Sequence, residues 1–185
     1  MRVIAGKYKR RQLKAVPGQN TRPTTDKNKE NIFNMISPYI VGGNVLDLFA
    51  GSGALGIEAM SRGMDELYSV DINYKAFKII KENIENLGIE NAHVYKMSCY
   101  QALTRFLEEN IQFSLVLLDP PYDQGFSEKI IIKLIENKML TNEAIVVVEE
   151  KNNVHLEECY GVLKLKKQVN YGLTTLHIYK MEESE

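Results

Sequence analysis

Short apolar runs alternate with longer stretches in which apolar residues recur every three or four positions, from Gly43 to about Val148. The runs at residues 45–49, 67–70, 92–95, 113–118 and 144–148 predict five strands, and the segments 54–61, 73–87, 100–109 and 127–137 predict the helices between them. In the second of these helices Ala76, Phe77, Ile80, Ile84 and Leu87 share one face, and Gly88 closes it. Strands alternating with helices imply a parallel sheet with right-handed crossovers. The run 144–148 is apolar throughout and predicts a strand buried on both faces.

The rhythm changes at both ends. Residues 162–169 and 174–179 are strand-like runs separated by Asn170-Tyr171-Gly172 with no helix between, which predicts a terminal antiparallel hairpin. Lysines alternate with leucines over residues 163–167 and predict the wet face of a strand. At the N-terminus, residues 2–5 and 11–13 predict a short hairpin turning through Gly6-Lys7-Tyr8-Lys9-Arg10, with Pro17-Gly18 as a further turn. Arg22-Pro23-Thr24-Thr25-Asp26 then leads into a helix: Pro23 disfavours the helical conformation at Arg22, and Thr24 or Thr25 is placed to cap the start. Ile32, Phe33, Met35 and Ile36 give that helix its apolar face before Ser37-Pro38 ends it.

The 185 residues suffice for one domain with its own core, and 44% hydrophobic with 25% charged residues is ordinary for a globular protein. No apolar run approaches the ~20 residues that span a bilayer, and the start has no apolar signal region. Cys99 and Cys159 are isolated, as are His93, His155 and His177, so no metal is expected and a reduced, cytoplasmic protein fits. The net charge of −1 hides an asymmetry: residues 1–29 carry nine basic residues against Asp26 alone, leaving 14 basic and 23 acidic for the rest. A basic arm on an acidic body points to a polyanionic partner. The expected organisation is a basic arm over residues 1–20 followed by a single domain over residues 21–185.

Candidate chemistry sits at the ends of the predicted strands. Val45-Leu46-Asp47-Leu48-Phe49-Ala50-Gly51-Ser52-Gly53-Ala54-Leu55-Gly56 reads as strand, glycine loop and helix start. Gly51 and Gly53 permit a tight turn, Gly56 lets the helix approach the strand, and the helix N-terminus offers free N–H groups. Asp71 follows 20 residues after Gly51, at the end of the next strand, where a carboxylate can accept ribose hydroxyls. The glycine pattern alone fits a dinucleotide as well as any other adenosine ligand. Asp47 shifts the balance, because an acid inside a buried strand is costly without a cationic partner, and a zwitterionic ligand with an ammonium group supplies one.

Asp119-Pro120-Pro121-Tyr122 follows the apolar run 113–118 directly. The prolines hold φ near roughly −65° and remove two N–H donors, leaving carbonyls free to face a cleft. With the Asp119 carboxylate and the flat face of Tyr122, the segment is a clamp for a planar amino group, at the edge of the sheet where ligands bind.

The stretch from Asp47 to Gly56, followed by Glu58-Ala59 and Ser61-Arg62-Gly63, resembles motif I of class I S-adenosylmethionine-dependent methyltransferases, and Asp119–Tyr122 resembles motif IV of the amino-methylating branch. Arg2-Val3-Ile4-Ala5-Gly6, Arg22-Pro23-Thr24-Thr25-Asp26 and Phe33-Asn34 are similar to the N-terminal signature of the 16S ribosomal RNA guanine-N2 methyltransferases known as RsmD. The resemblance runs nearly end to end, to Tyr171-Gly172-Leu173-Thr174. It implies an α/β, Rossmann-like fold with a seven-stranded, mostly parallel sheet whose last strand is antiparallel, plus an N-terminal β-hairpin arm. The reaction implied is methyl transfer from S-adenosylmethionine to N2 of one guanine in 16S rRNA, within the small subunit or an assembling intermediate of a bacterial cell, by a monomer.

On this resemblance Asp119, Pro120, Pro121 and Tyr122 are catalytic. Asp47, Phe49, Ala50, Gly51, Ser52, Gly53, Asp71, Ile72, Ser98, Cys99 and Asp119 border the cofactor, and Lys7, Tyr8, Lys9, Arg10, Arg11, Arg22 and Thr24 meet the RNA. The chain departs from the family pattern at Lys27-Asn28, where Arg-Val is usual, at Asp71, where Glu is common, and at Ser98, where Asp or Asn usually meets the adenine. An adenine-N6 nucleic-acid methyltransferase, which uses the same clamp, and a non-catalytic ribosome-assembly factor of the same fold are the alternatives.

Overall fold

Five strands lie side by side and parallel at the centre of the molecule, because a helix between each strand and the next carries the chain back along a face of the sheet. The computed structural model describes residues 1–18, 26–122 and 124–182. The strands are β1 (Asn44–Asp47), β2 (Glu66–Asp71), β3 (Ala92–Lys96), β4 (Phe113–Leu118) and β5 (Leu140–Lys151). The helices are α1 (Asp26–Ile36), α2 (Ala54–Ser61), α3 (Tyr74–Leu87), α4 (Cys99–Glu108) and α5 (Phe126–Glu136), and a 3-10 turn at Ser37–Tyr39 ends α1 beside Pro38. The C-terminal strands β6 (Cys159–Tyr160), β7 (Leu163–Tyr171) and β8 (Thr174–Met181) complete one sheet in the order β3-β2-β1-β4-β5-β8-β7-β6. β8 runs antiparallel to both β5 and β7, as expected of the last strand.

The sheet has one strand more than the expected seven. β6 pairs only Cys159 and Tyr160 with β7, and it lies outside any apolar run that periodicity would detect. β5 extends to Lys151, well past its apolar run, because Glu149, Glu150 and Lys151 pair with Leu176, Thr175 and Thr174 of β8. Backbone pairing, not side-chain polarity, sets that end.

Alternate residues of each strand feed two cores. Val45, Leu67, Leu115, Leu117, Ile145 and Val147 pack with α1, α2, α3 and the arm residues Val3 and Leu13. Leu46, Leu48, Val70, Val116, Val146 and Val148 pack on the other face with α4 and α5. Residues 144–148 are buried throughout, as a strand covered on both faces should be. The lysines of β7 lie outward, and Lys164 and Lys166 both pair with Glu182.

The N-terminal arm forms a hairpin with a single bridge, Arg2 to Gln12, supported by Val3 N–H to the Arg11 carbonyl and Leu13 N–H to the Met1 carbonyl. Its ladder is short because α2 takes the donors that a longer ladder would use. Ile4 and Ala5 N–H donate to the two Glu58 carboxylate oxygens at 2.8 and 3.1 Å, and Lys7 N–H donates to the Ser61 carbonyl at 2.7 Å. Glu58 is fully buried, paired with Arg62 at 2.8 Å and with the buried Lys29 at 3.8 Å. Gly6 sits against the end of α2 with φ +80°, and a Cβ there would fall 1.7 Å from the Ser61 carbonyl oxygen. Only glycine fits both the conformation and the space. Residues 22–25, with the expected RNA contacts Arg22 and Thr24 and the Thr24 or Thr25 cap, lie outside the described residues.

Candidate active site

Strand order reverses between β1 and β4, since β1 connects to β2 on one side and β4 to β5 on the other. The crevice at the carboxyl ends of such a pair is where open α/β sheets bind ligands. Asp47 ends β1, the glycine loop follows it, and Asp119 directly follows β4. On the neighbouring strand β2, Asp71 is the last residue.

The loop is held by the acids around it. The Asp71 carboxylate accepts Gly51 N–H at 2.9 Å through one oxygen and Asn73 N–H at 2.8 Å through the other. Each oxygen keeps a lone pair for a further donor. Asp47 Oδ2 accepts Gly56 N–H at 3.0 Å, in the first turn of α2. A Cβ on Gly56 would come within 2.6 Å of Leu67 and 3.0 Å of Asp47, so glycine is what brings this helix close to β1. Gly53 holds α2's N-terminal position in a left-handed conformation, leaving the helix's first N–H groups directed at the crevice. Phe49 stacks at a tilt on Phe126 of α5, 5.5 Å between centres, and Ala50 is buried beneath the loop.

Asn83 of α3 connects this loop to the arm. Its side-chain nitrogen donates to the Ser52 carbonyl at 2.9 Å and to the Lys14 carbonyl at 3.0 Å, while its oxygen accepts Lys14 N–H at 2.8 Å. Asn83 is buried, and all of these bonds join segments far apart in the chain.

Electrostatically the crevice is strained by its own acids. Burial, opposed in part by the Gly56 N–H bond, pushes the Asp47 carboxyl up to about 7. Burial and then the charges of Glu149, Asp47 and Glu150 push Asp119 up to about 8. Glu149 is itself raised by burial, against a hydrogen bond with the Thr174 side chain. Asp71 is raised by burial, with its two backbone donors pulling the other way. A ligand carrying a cationic centre fits such a cluster of raised carboxyls.

Sequence reasoning did not single out Glu149, Glu150 or Asn83. The signal for the two glutamates was two acids directly after the buried run of β5, at the same edge as Asp119. In the clamp, Pro120 is buried while Pro121 and Tyr122 are exposed, and Lys151 Nζ stands 5.4 Å from the centre of the Tyr122 ring. Ile72 is 72% exposed at the rim, beside Asp71. Ser98 is the N-cap of α4, locked in a capping box with Gln101, and Cys99 is buried in the helix's first turn, its thiol pushed up by burial. Ser98 therefore spends its hydroxyl on the helix, with Gln101 N–H at 3.2 Å.

The arm residues stand apart from this crevice. The turn from Lys7 to Arg11 packs at the end of α2 remote from the glycine loop, about 12 Å away at 1.5 Å per helical residue. Lys7, Lys9 and Arg10 are exposed, Tyr8 is partly buried against the core, and Arg11 donates to the Asn86 carbonyl at 2.7 Å. The structure thus gathers the expected cofactor and clamp residues at one edge and the turn of the arm, residues 7–11, at another. Among the described residues no group of His, Cys, Asp and Glu is placed to hold a metal ion, and no helix is long and apolar enough to cross a membrane.

Known proteins share this fold. The family model described as Conserved hypothetical protein 95 matches residues 1–180. Bacillus subtilis YlbH is 45% identical over 97% of this chain and 98% of its own length. A solved Escherichia coli structure, the methyltransferase yhhF, superposes with a TM-score of 0.86 at 30% identity, covering 100% of this chain and 99% of that one. The Ribosomal RNA small subunit methyltransferase D of Escherichia coli K12 is 30% identical over 98% of this chain and 90% of its own length, and this chain belongs to the same family, RsmD, with the Rossmann-like fold of methyltransferases.

Proposed function

We propose that this protein transfers a methyl group from S-adenosylmethionine to the exocyclic N2 of one guanine in 16S rRNA, within the small subunit or an intermediate of its assembly. The observation that carries the reading is the meeting of the Asp119–Tyr122 clamp with the glycine loop, Asp47 and Asp71 across the β1–β4 switch. S-adenosylmethionine supplies a methyl group already activated on a sulfonium, and its cationic centre and ammonium suit the raised carboxyls of the crevice. Gly51, Ser52 and Gly53 present backbone to its amino-acid part, Asp71 accepts from its ribose, and Ile72 covers its adenine. RNA as substrate is supported by the family, whose members carry ribosomal RNA methyltransferase names. Guanine N2 is supported by the N-terminal signature shared with RsmD.

The chain's task is alignment, worth up to ~7–11 kcal/mol when reacting atoms are held in line. A guanine amino group is a poor nucleophile because its lone pair is delocalised into the ring. Asp119 and the Pro120 carbonyl accept its two N–H bonds and turn the lone pair toward the methyl. The new N–C bond forms as the S–C bond breaks, and Asp119 takes the proton that the nitrogen loses. Tyr122 stacks on the base, which must leave its helix to enter. Residues 1–20 serve as the RNA-contacting arm. Arg10 supports this: it is exposed and holds φ +69°, a conformation costing a non-glycine residue roughly 1–2 kcal/mol.

The test is mass spectrometry of nucleosides from 16S rRNA of cells with and without the gene, together with Asp119→Ala. One guanine should lose a methyl mass in the deletion strain, and Asp119→Ala should abolish methyl incorporation while cofactor still binds. No change at any guanine overturns the reading.

A further inference from the structure

α3 carries a row of exposed and half-buried side chains that the crevice does not use. Tyr74, Lys78, Glu82 and Asn86 follow one another at four-residue spacing and so line one side of the helix. Tyr74 is 59% exposed, and Lys78 Nζ and Lys96 Nζ each stand 5.6 Å from its ring centre. Phe77 lies beside it, ring centres 6.5 Å apart and planes 23° from parallel, with Lys81 Nζ 5.7 Å from the Phe77 ring. Lower on the row, Lys14 of the arm pairs with Glu82, and Arg11 of the arm rests on Asn86. Of the acids on α3, Glu82 is thereby neutralised, while Glu85 stays exposed one row over.

The row runs along the surface between the turn of the arm and the ligand-bearing edge of the sheet. One end meets the basic turn of the arm. At the other end, Tyr74 opens α3 three residues after Asp71, and Lys96 pairs in register with Asp71 at the ligand-bearing edge. The distance from Tyr74 to Asn86 is about 18 Å at 1.5 Å per residue.

We infer that this row holds an unpaired segment of the RNA substrate, with a base stacked on Tyr74 and phosphates at Lys78, Lys81 and Lys96, leading the strand from the arm to the crevice. The inference rests on the RNA methyltransferase reading above. A flat ring accepts any base, and lysines around it follow the backbone, which is how unpaired nucleic acid is held without sequence preference. An acidic peptide would be drawn to the same lysines but brings no planar base to the exposed Tyr74 ring.

Titration of a fluorescent single-stranded oligoribonucleotide onto the full chain at several salt concentrations tests this. Lys78→Glu combined with Lys96→Glu should flatten the plot of log affinity against log salt by about 1.4, since each phosphate contact contributes roughly 0.7. Tyr74→Ala should weaken binding roughly tenfold through lost stacking, and Tyr74→Phe by less than about twofold. S-adenosylmethionine affinity, measured by calorimetry, should match the wild type in all three variants. Wild-type RNA affinity and salt slope in the variants would overturn the inference. So would lost cofactor affinity in Tyr74→Ala with RNA binding intact, which assigns the ring to the cofactor. If the wild-type chain methylates RNA and the variants bind as it does, the α3 row alone falls. If the wild-type chain neither binds nor methylates RNA, the functional reading falls with it.

Discussion

The side-chain amide of Asn83 lies 2.9 Å from the Ser52 carbonyl in the glycine loop and bonds both backbone groups of Lys14 in the arm. One buried residue therefore holds glycine loop and arm in a fixed relation. Asn83→Ala leaves three backbone groups without their partner, at about 1–3 kcal/mol for each one shut off from water. The expected outcome is a stability loss of roughly 2–3 kcal/mol by denaturant titration, with S-adenosylmethionine affinity reduced roughly tenfold by calorimetry. Stability lost with cofactor affinity unchanged would show that the loop stands without Asn83.

Glu58 fastens the arm from beneath. Removing one partner of a buried ion pair costs about 3–5 kcal/mol, because the charge left behind has no solvent. Glu58→Ala leaves Lys29 buried and frees Ile4 and Ala5 N–H. Trypsin should then cut at Lys7, Lys9, Arg10 or Arg11 at least tenfold faster than in the wild type, read by intact-mass spectrometry. Equal cleavage rates would mean that Val3 and Leu13 hold the arm by packing alone.

Much of this was legible in the chain because the signals are local. β1, β2 and β4 announce themselves as short apolar runs, and Asp47, Asp71 and Asp119 sit at fixed offsets from them. Asn83 and Glu58 were illegible for the opposite reason: a polar residue on a helix reads as a solvated face, and their partners lie up to 69 residues away. Ser98 shows a third case. Ser98-Cys99-Tyr100-Gln101 carries the Ser-x-x-Gln pattern of a capping box, so the helix claims the hydroxyl that alignment with the family assigns to an adenine. The short hairpin ladder and β6 depend on backbone pairing, which side-chain periodicity does not record.

In the proposed mechanism Asp119 must be ionised to take the proton that the amino group loses, and in the ligand-free protein its carboxyl is pushed up to about 8, with Glu149 the first charge responsible after burial. kcat/KM reports the free enzyme, so it should rise with pH through about 8 with unit slope. Glu149→Gln removes a like charge, lowers the Asp119 pKa and should move the rising limb toward lower pH. A profile unmoved by Glu149→Gln would separate the two carboxyls.

The same raised carboxyls set a stability profile. Asp47 goes from an ordinary value of 3.8 in the unfolded chain to about 7 in the fold, so the folded state binds more protons between those values. Stability of the ligand-free protein should therefore fall as pH rises from about 4 to 7, with Asp119 extending the decline to about 8. Asp47→Asn should flatten the fall in melting temperature across this window. An equally steep decline in Asp47→Asn would place the responsible group elsewhere.

α2 is eight residues long, with Gly56 closed onto Asp47 in its first turn and Ser61 closed onto the arm at its last residue. Adding or deleting one residue between them would turn one end against the other by about 100° and shift it by 1.5 Å. Gly56 and Ser61 could then no longer meet Asp47 and the arm at once. The helix acts as a gauge of set length: a single-residue indel inside α2 is a frameshift in space, putting the glycine-loop side and the arm side out of phase.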